Sequence, residues 1–475
     1  MAISSTGLGS GLDVESIVSS LMAVERKPAA LLETAATTMK SQLSTYGQLQ
    51  SYVSALQDKS RAMASTSLWN QTTAASSDAT VASVTTGTNT AAGSYSLTVS
   101  QLAVAQTASS TAVPAKTHNV GQGKLTIELG SWTGDPATFG LKAGASSVTV
   151  DIGEGESSLA AVRDKINAAG AGVVATVIYD ATGARLSIRS TDTGVANGFR
   201  ISAEETAPGD DGASLSMFAF DPASGSGGMT ENMKAQDAKA KLNGLDITSA
   251  SNTLSDVADG LTIKLLKKSE SPIDLSVTQD TESMKTAVND FVKAYNDLSS
   301  FIQTQTKYNA DSKTAGKLQG DRTVIGLQAQ MREIIRGVNS SPKTLRTLSD
   351  AGIEVQKDGY TIAVNSKKLN AALADPAEMK KLMMSGDSAN ESTWGLISRF
   401  NSMATNALAA EGPLTTRQEG IQASIKRNND RVADMEVRLA ATEERIRKQY
   451  QTLDSNMAKL SALNSYVSTQ LSSLG

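Results

Sequence analysis

The sequence predicts an α+β, multidomain protein: a discontinuous helical coiled-coil leg formed by both termini, with β-rich head domains inserted between its halves. Three observations carry this. From Asp13 to Met63, and again after Asp280, apolar residues recur at helical spacing. The stretch between them alternates apolar and polar residues with the period of a half-buried strand. At 475 residues the chain is too long for one core and is sized for about three domains.

In the leading segment, Leu32, Met39, Tyr46 and Val53 lie seven apart. Ala35, Leu49, Leu56 and Met63 form a companion line, with Gln42 as its polar member. Two such lines make a coiled-coil stripe. Asp13 is a natural N-cap. Pro28 divides a short first helix from a longer second one. The candidate partner-binding residues here are Leu12, Ile17, Leu21, Leu32, Met39 and Tyr46.

The trailing segment is more regular. Ile425, Val432, Leu439, Ile446, Leu453, Leu460, Val467 and Leu474 lie seven apart, and all are apolar. Beside them runs a mixed line of Asn428, Met435, Thr442, Gln449, Asn456 and Leu463. A strict heptad over about 75 Å of helix wants a partner along its length. Asp434 and Arg438, Glu443 and Arg447, and Glu444 and Lys448 are acid-first pairs at i,i+4. The inner halves of the two segments are expected to pair with each other. The outer halves, 1–38 and 445–475, are expected to find partners only in an assembly. The polar line Asn428, Thr442 and Gln449 is expected to weaken that grip and so allow release. With Ile425, Val432, Leu439, Ile446, Leu453, Leu460 and Val467 these residues complete the candidate assembly surface.

The centre reads as strands. "GSYSLTVSQLAVAQT" alternates at Tyr95, Leu97 and Val99, and "KLTIEL" and "SVTVDI" do the same. Leu159, Val162 and Ile166 mark a short helix with a serine cap and a glycine stop. "VVATVIYDATGARLSIRS" is two strands around a turn at Ala181–Gly183, and "LTIKLL" and "IDLSVTQ" follow. The segment 207–233, with "APGDDGAS" and "SGSGGM", reads as a loop or linker. Beyond it, Met284, Val288, Phe291, Tyr295, Leu298 and Ile302 mark one helix and Asp321–Val338 a second. "GIEVQKDGYTIAV" reads as a hairpin and Ser366–Leu373 as a third helix. Paired end helices enclosing a β-region describe a rod with its head held far from both termini.

Several classes of chemistry are excluded. There is no cysteine, hence no disulfide, thiolate metal site or cysteine nucleophile. The single histidine, His118, lies in a polar stretch and reads as a surface residue. "GLGSGLD" near the N-terminus lacks the lysine of a P-loop and the third glycine of a dinucleotide loop. No metalloprotease, nucleophile-elbow or calcium-loop motif occurs, so no enzyme, cofactor or metal is expected. A net charge of −4 argues against nucleic acid and anionic membranes as partners. No apolar run is long enough to span a bilayer, and the N-terminus does not read as a cleaved signal.

Three stretches resemble the flagellar filament-cap (hook-associated protein 2) family. "GLGSGLDVESIVSSLMAVERKP" is similar to its N-terminal signature, and "AGSYSLTVSQLAVAQT" to the strand leading into its head. "NGLDITSASNTLSDVADGLTIKLL" is similar to the opening of its C-terminal region. "SLAAVRDKINAAGAGVVATVIYDATGARLSIRSTDTG" resembles the flagellin and hook IN motif, with Ile166 and Asn167 as its namesake pair. "LSDAGIEVQKDGYTIAVNSKKLNAAL" is similar to a leg hairpin, with Asn365 where the family usually has an acid.

The resemblance implies a secreted structural protein, exported unfolded through the flagellar type III channel without a cleaved signal. It implies a ring-like homo-oligomer at the filament tip that promotes folding and insertion of flagellin. Its implied partners are further copies of itself, flagellin and an export chaperone, with a host ligand possible through the head. The implied division is 1–40 and 431–475 as terminal helices mobile in the monomer, and 41–72 with 281–430 as helical leg. An inner head then comprises 73–108 and 235–280, and an outer head 109–234. The alternatives are a secreted coiled-coil adhesin and a hook–filament junction protein.

Overall fold

The structure, a computed structural model, describes residues 13–472 apart from 89, 136, 226–227, 312 and 385–392, and the side chain of 256. The chain enters through helices α1 (Val14–Glu25), α2 (Lys27–Met63) and α3 (Thr66–Asn70). There follow β1 (Thr72–Ser76), β2 (Ala82–Thr86), β3 (Gly93–Gln101), β4 (Thr107–Ser109), β5 (Gln122–Thr133), β6 (Thr138–Leu141) and β7 (Val148–Ile152). Next come α4 (Leu159–Ala168), β8 (Val173–Asp180), β9 (Gly183–Ser190), β10 (Gly198–Ala207) and β11 (Thr230–Met233). Strands β12 (Ala238–Leu242), β13 (Leu245–Ser249), β14 (Thr253–Ala258), β15 (Leu261–Leu265) and β16 (Ile273–Gln279) end this region. The return begins with α5 (Thr281–Thr306), the hairpin β17 (Tyr308–Asn309) and β18 (Thr314–Ala315), and α6 (Arg322–Ile335). It ends with the hairpin β19 (Ile353–Val355) and β20 (Ile362–Val364), then α7 (Ser366–Ala372), α8 (Pro376–Met384), α9 (Leu396–Leu408) and α10 (Pro413–Ser472).

Two compact units result. One joins Met1–Trp69 to Thr281–Gly475; the other is Asn70–Asp280. In the first, the α2 line Tyr46, Leu49, Val53, Leu56 and Met63 is buried in a common core with the apolar face of α5. Phe400 of α9 stands edge-on to Phe291 and Tyr295 of α5, at 5.2 and 5.8 Å. Asn296 exchanges two hydrogen bonds with the backbone of Ile362 and so fixes the β19–β20 hairpin on α5. Pro28 sits in the first turn of α2, where a missing N–H costs nothing. Both α2 and α10 run without a break through the divisions expected at 40 and 431. Helices α8 and α9 were not anticipated; both contribute to the core, α8 through Met379, Leu382 and Met383.

Asn365 caps α7 by accepting from the Lys368 N–H, as an acid could. Its Nδ2 also donates to Glu354, which an acid could not. Lys368 and then Asn365 hold the Glu354 carboxyl below its ordinary range.

The second unit has two cores. In one, the sheet β1-β16-β3-β12-β13 buries Leu97, flanked in register by Ile273 and Leu242, with the sheet β14-β15-β2. In the other, β5 pairs with β6, β7 and β10, and the sheet β11-β4-β9-β8 and α4 complete the layer. Ser158 caps α4, and Gly170 ends it at φ +64, a left-handed conformation suited to glycine.

The segment 207–233 is not a plain linker. Leu215, Phe218 and Phe220 are buried in the second core, and Phe220 exchanges backbone hydrogen bonds with Ile201 of β10. The rings of Phe220 and Phe199 lie 5.5 Å apart. Polar and glycine-rich composition hid this apolar plug. His118 stands within hydrogen-bond distance of the Asp210 carbonyl in the same loop region, at 3.2 Å.

Candidate assembly surface on the terminal helices

Asp13 starts α1 by accepting from the Ser16 N–H at 3.0 Å. One face of α1, Val14, Val18 and Met22, is buried with Ala29 of α2 against Leu439 of α10. Met435, Ile446 and Tyr450 flank this small core. The expectation that 1–38 finds no partner within the chain is therefore corrected for its described part, 13–38, since α1 docks on α10; residues 1–12 lie outside the described residues.

Polar ties fix the register of this antiparallel pair. Asn428 Nδ2 donates to the Leu32 carbonyl at 2.7 Å. Arg26 lies 3.6 Å from Glu436. Arg447 grips Glu15 through both guanidinium NH2 groups, at 2.5 and 2.7 Å, and also bonds Glu443. The chain thus runs back from 32 to 15 while α10 advances from 428 to 447. Arg447 holds the Glu15 carboxyl below its ordinary range, and the two glutamates push the guanidinium up. Glu444–Lys448 also forms, whereas Asp434–Arg438 is absent from the described ion pairs.

The sequence-derived candidates separate into distinct environments. Tyr46 is fully buried in the leg core; burial, then Asp321, raises the pKa of its hydroxyl. Asp321 caps α6 and binds Arg417 of α10 at 3.0 Å, so Tyr46 serves an internal joint, not an outer surface. Leu439 and Asn428 are buried too. Asn428 thus belongs to the seam within the chain, where a polar residue limits the allowed registers. The Leu32 carbonyl lies inside a helix and already has a helical acceptor role, so this extra bond selects register more than it adds stability.

Ile17, Leu32, Met39, Ile425, Val432, Thr442 and Ile446 are half-buried along the seam. Leu21, Gln449, Leu453, Leu460 and Val467 are exposed, and Leu12 lies outside the described residues. Further exposed apolar residues were missed: Val24 and Leu31 on the leading helices, and Met457, Tyr466 and Leu471 on α10. From Leu453 to Leu471 they form, with Leu460, Leu463 and Val467, a stripe at spacings of three and four. Leu460 is 60% exposed and Leu471 67%. The signal was the three–four alternation; counting only sevens selects part of it. A run of exposed apolar residues of this kind is a candidate interaction site. Among the described residues no helix is long and apolar enough to cross a membrane, and no acidic or histidine cluster could hold a metal.

Residues 10–106 match the family model for the flagellar hook-associated protein 2 N-terminus, and residues 235–462 that for its C-terminus. A flagellar hook-associated protein 2 of Escherichia coli (strain K12) is 31% identical over 480 residues, 99% of this chain and 98% of its own. The chain belongs to the flagellar hook-associated protein 2 family. A B-type member of the family from Pseudomonas aeruginosa is 31% identical over 493 residues, 100% of this chain and 98% of its own. Among solved structures, the flagellar cap protein FliD D1-D2-D3 domains from Escherichia coli share 31% identity and a TM-score of 0.62. That match covers 80% of this chain and 99% of the other. Residues 134–192 match the flagellin hook IN motif. Its Ile166 is buried in the second core, and the side chain of Asn167 bonds both the N–H and the C=O of Ala175.

Proposed function

We propose that the chain caps the flagellar filament and assists flagellin polymerisation at its tip. Family membership supports the cap; the open apolar stripe Leu453–Leu471 carries the mechanism. Its first half closed by its own chain, α10 offers its second half to a neighbour. Fully burying one Leu or Met side chain is worth roughly 1.5–3 kcal/mol. Ordering an isolated helix offsets part of that gain, so each contact is firm yet releasable. Release matters because a cap must step after each subunit is added.

In this reading the occupants of the stripe are flagellin subunits, and before export a chaperone that shields the same side chains. Several copies form a ring and are exported unfolded. The β-rich unit forms the ring's plate, and a host ligand there is an added role. The protein works as structure and performs no reaction.

Immunogold electron microscopy of intact filaments, combined with a deletion strain, tests this. Label at the tip, with flagellin shed into the medium by the deletion strain, supports the cap. Label at the filament base points to a junction protein. Normal filaments with poor attachment point to an adhesin. Either of the last two overturns the reading.

A further inference from the structure

The sheet β11-β4-β9-β8 is antiparallel throughout, and among the described residues no further strand pairs with β8 or β11. Its free edge at β8 is defined residue by residue. Val177 faces Leu186 and Tyr179 faces Ala184 across the β8–β9 pair. Leu186 gives its own backbone groups to Ser110 on the far side, at 2.9 and 3.0 Å. Ala184 gives its groups to Val113, at 2.8 and 2.9 Å. In an antiparallel ladder these are then the non-hydrogen-bonded pairs, so the N–H and C=O of Val177 and Tyr179 point off the edge.

At Ala175 the equivalent groups are taken by the Asn167 amide, at 2.7 and 2.9 Å. The amide stands in for a neighbouring strand and closes the edge there. What stays open is Val177–Asp180, a stretch the length of β11.

The opposite edge is β11, whose four residues are all exposed. Neither strand carries the lysine or proline that commonly blunts an edge. Both present large apolar side chains to solvent: Ile178 is 50% and Tyr179 60% exposed on β8, and Met233 is 51% exposed on β11. With four antiparallel strands, the outer two run in opposite directions. A second copy displaced along the sheet therefore brings its β11 antiparallel to β8, the relation that every internal pair already has. Such a contact joins two different surfaces, and a heterologous contact closes into a ring when the rotation between successive copies closes.

We propose that Val177–Asp180 of one copy pairs with β11 of the next, continuing this sheet from subunit to subunit. The inference rests on the ring reading above and names one surface that would build the ring. The register shift beside Glu231 and the charge of that residue keep the contact weak alone, so it acts together with others around the ring.

The chain has no cysteine, so Ile178→Cys and Met233→Cys introduce the only thiols. Full-length protein carrying both is treated with a short bis-maleimide at concentrations where light scattering finds oligomers. The expected product is a covalent ladder rising to the size of the ring. Mixing the two single variants should give dimers only, and each alone none. Val177→Pro removes the outward N–H without touching the β9 ladder. It should raise the dissociation constant at least tenfold while leaving the melting temperature of the monomer within a few degrees. Cross-linking of Ile178→Cys alone would mean two-fold β8–β8 pairing and overturns the proposal. Oligomers without a 178–233 link overturn this contact and leave the ring standing. A chain that stays monomeric throughout overturns both.

Discussion

The two halves of α10 obey one heptad and meet opposite fates. Before Tyr450 the helix is covered by α1 and α2, tied by Asn428, Glu436 and Arg447. Beyond it, Leu453, Leu460 and Val467 keep the same spacing and stand exposed. Apolar periodicity therefore states that a helix has a docking face; it does not state whether the partner belongs to the same chain. The difference lies in what the leading helices reach, and it separates a covered seam from a stripe left exposed.

Leu439→Ala should break the covered half most severely. It removes the one buried α10 side chain of the small core and should cost about 2–3 kcal/mol of α1 docking. Hydrogen exchange over Val14–Glu25 should accelerate sharply, while amides of the α5 core stay protected. Protection of α1 unchanged by this substitution would mean that the seam does not hold it.

Asn428→Leu should change stability by no more than about 1 kcal/mol, since a modest hydrogen bond is exchanged for apolar surface. The expected defect is in register. Spin labels placed on α2 and α10 should give a broadened distance distribution, and a single sharp distance would contradict the assigned role.

Leu460→Ser with Val467→Ser acts on the open half. The melting temperature should hardly move, with less than about 0.5 kcal/mol lost, because neither side chain is buried. Filament growth should nevertheless fall, read as filament length in a complemented deletion strain. Normal length would show that the stripe is idle.

The smallest effect is the pH dependence of the Glu15–Arg447 tie. The folded carboxyl of Glu15 titrates below the unfolded one. Its contribution is therefore complete above the ordinary glutamate range and is lost as the pH falls through the lowered folded value. Exchange in α1 should be flat near neutrality and rise slightly in acid. Arg447→Gln should remove that rise; an acid response that persists in the variant assigns it to another group. The exposure of the pair keeps the effect small.

Much of the fold was legible. The α2 and α5 lines, the Ser158-capped helix, the strands around Ala181–Gly183 and the 353–364 hairpin all rest on local periodicity, caps and turns. What escaped has definite causes. Helix α8 is short and fills its core positions largely with methionine, and α9 starts at Gly395 with no side-chain cap to announce it. Phe220 and its neighbours sit among glycines, serines and aspartates that read as linker. On α1 two apolar lines coexist, Ile17–Leu21–Val24 and Val14–Val18–Met22, and periodicity cannot choose between them. Only the position of Leu439 does.

Taken alone, the sequence determined the helical ends, the inserted β-region and the resemblance to filament caps, because these follow from residue order within short windows. Tertiary structure decided which apolar line is buried inside and which is left exposed. It made Tyr46 a core residue, Asn428 a register pin and Asn167 a stopper on a strand edge. Burial and hydrogen-bond partnership are relations between segments distant in the chain, and no local window contains both members.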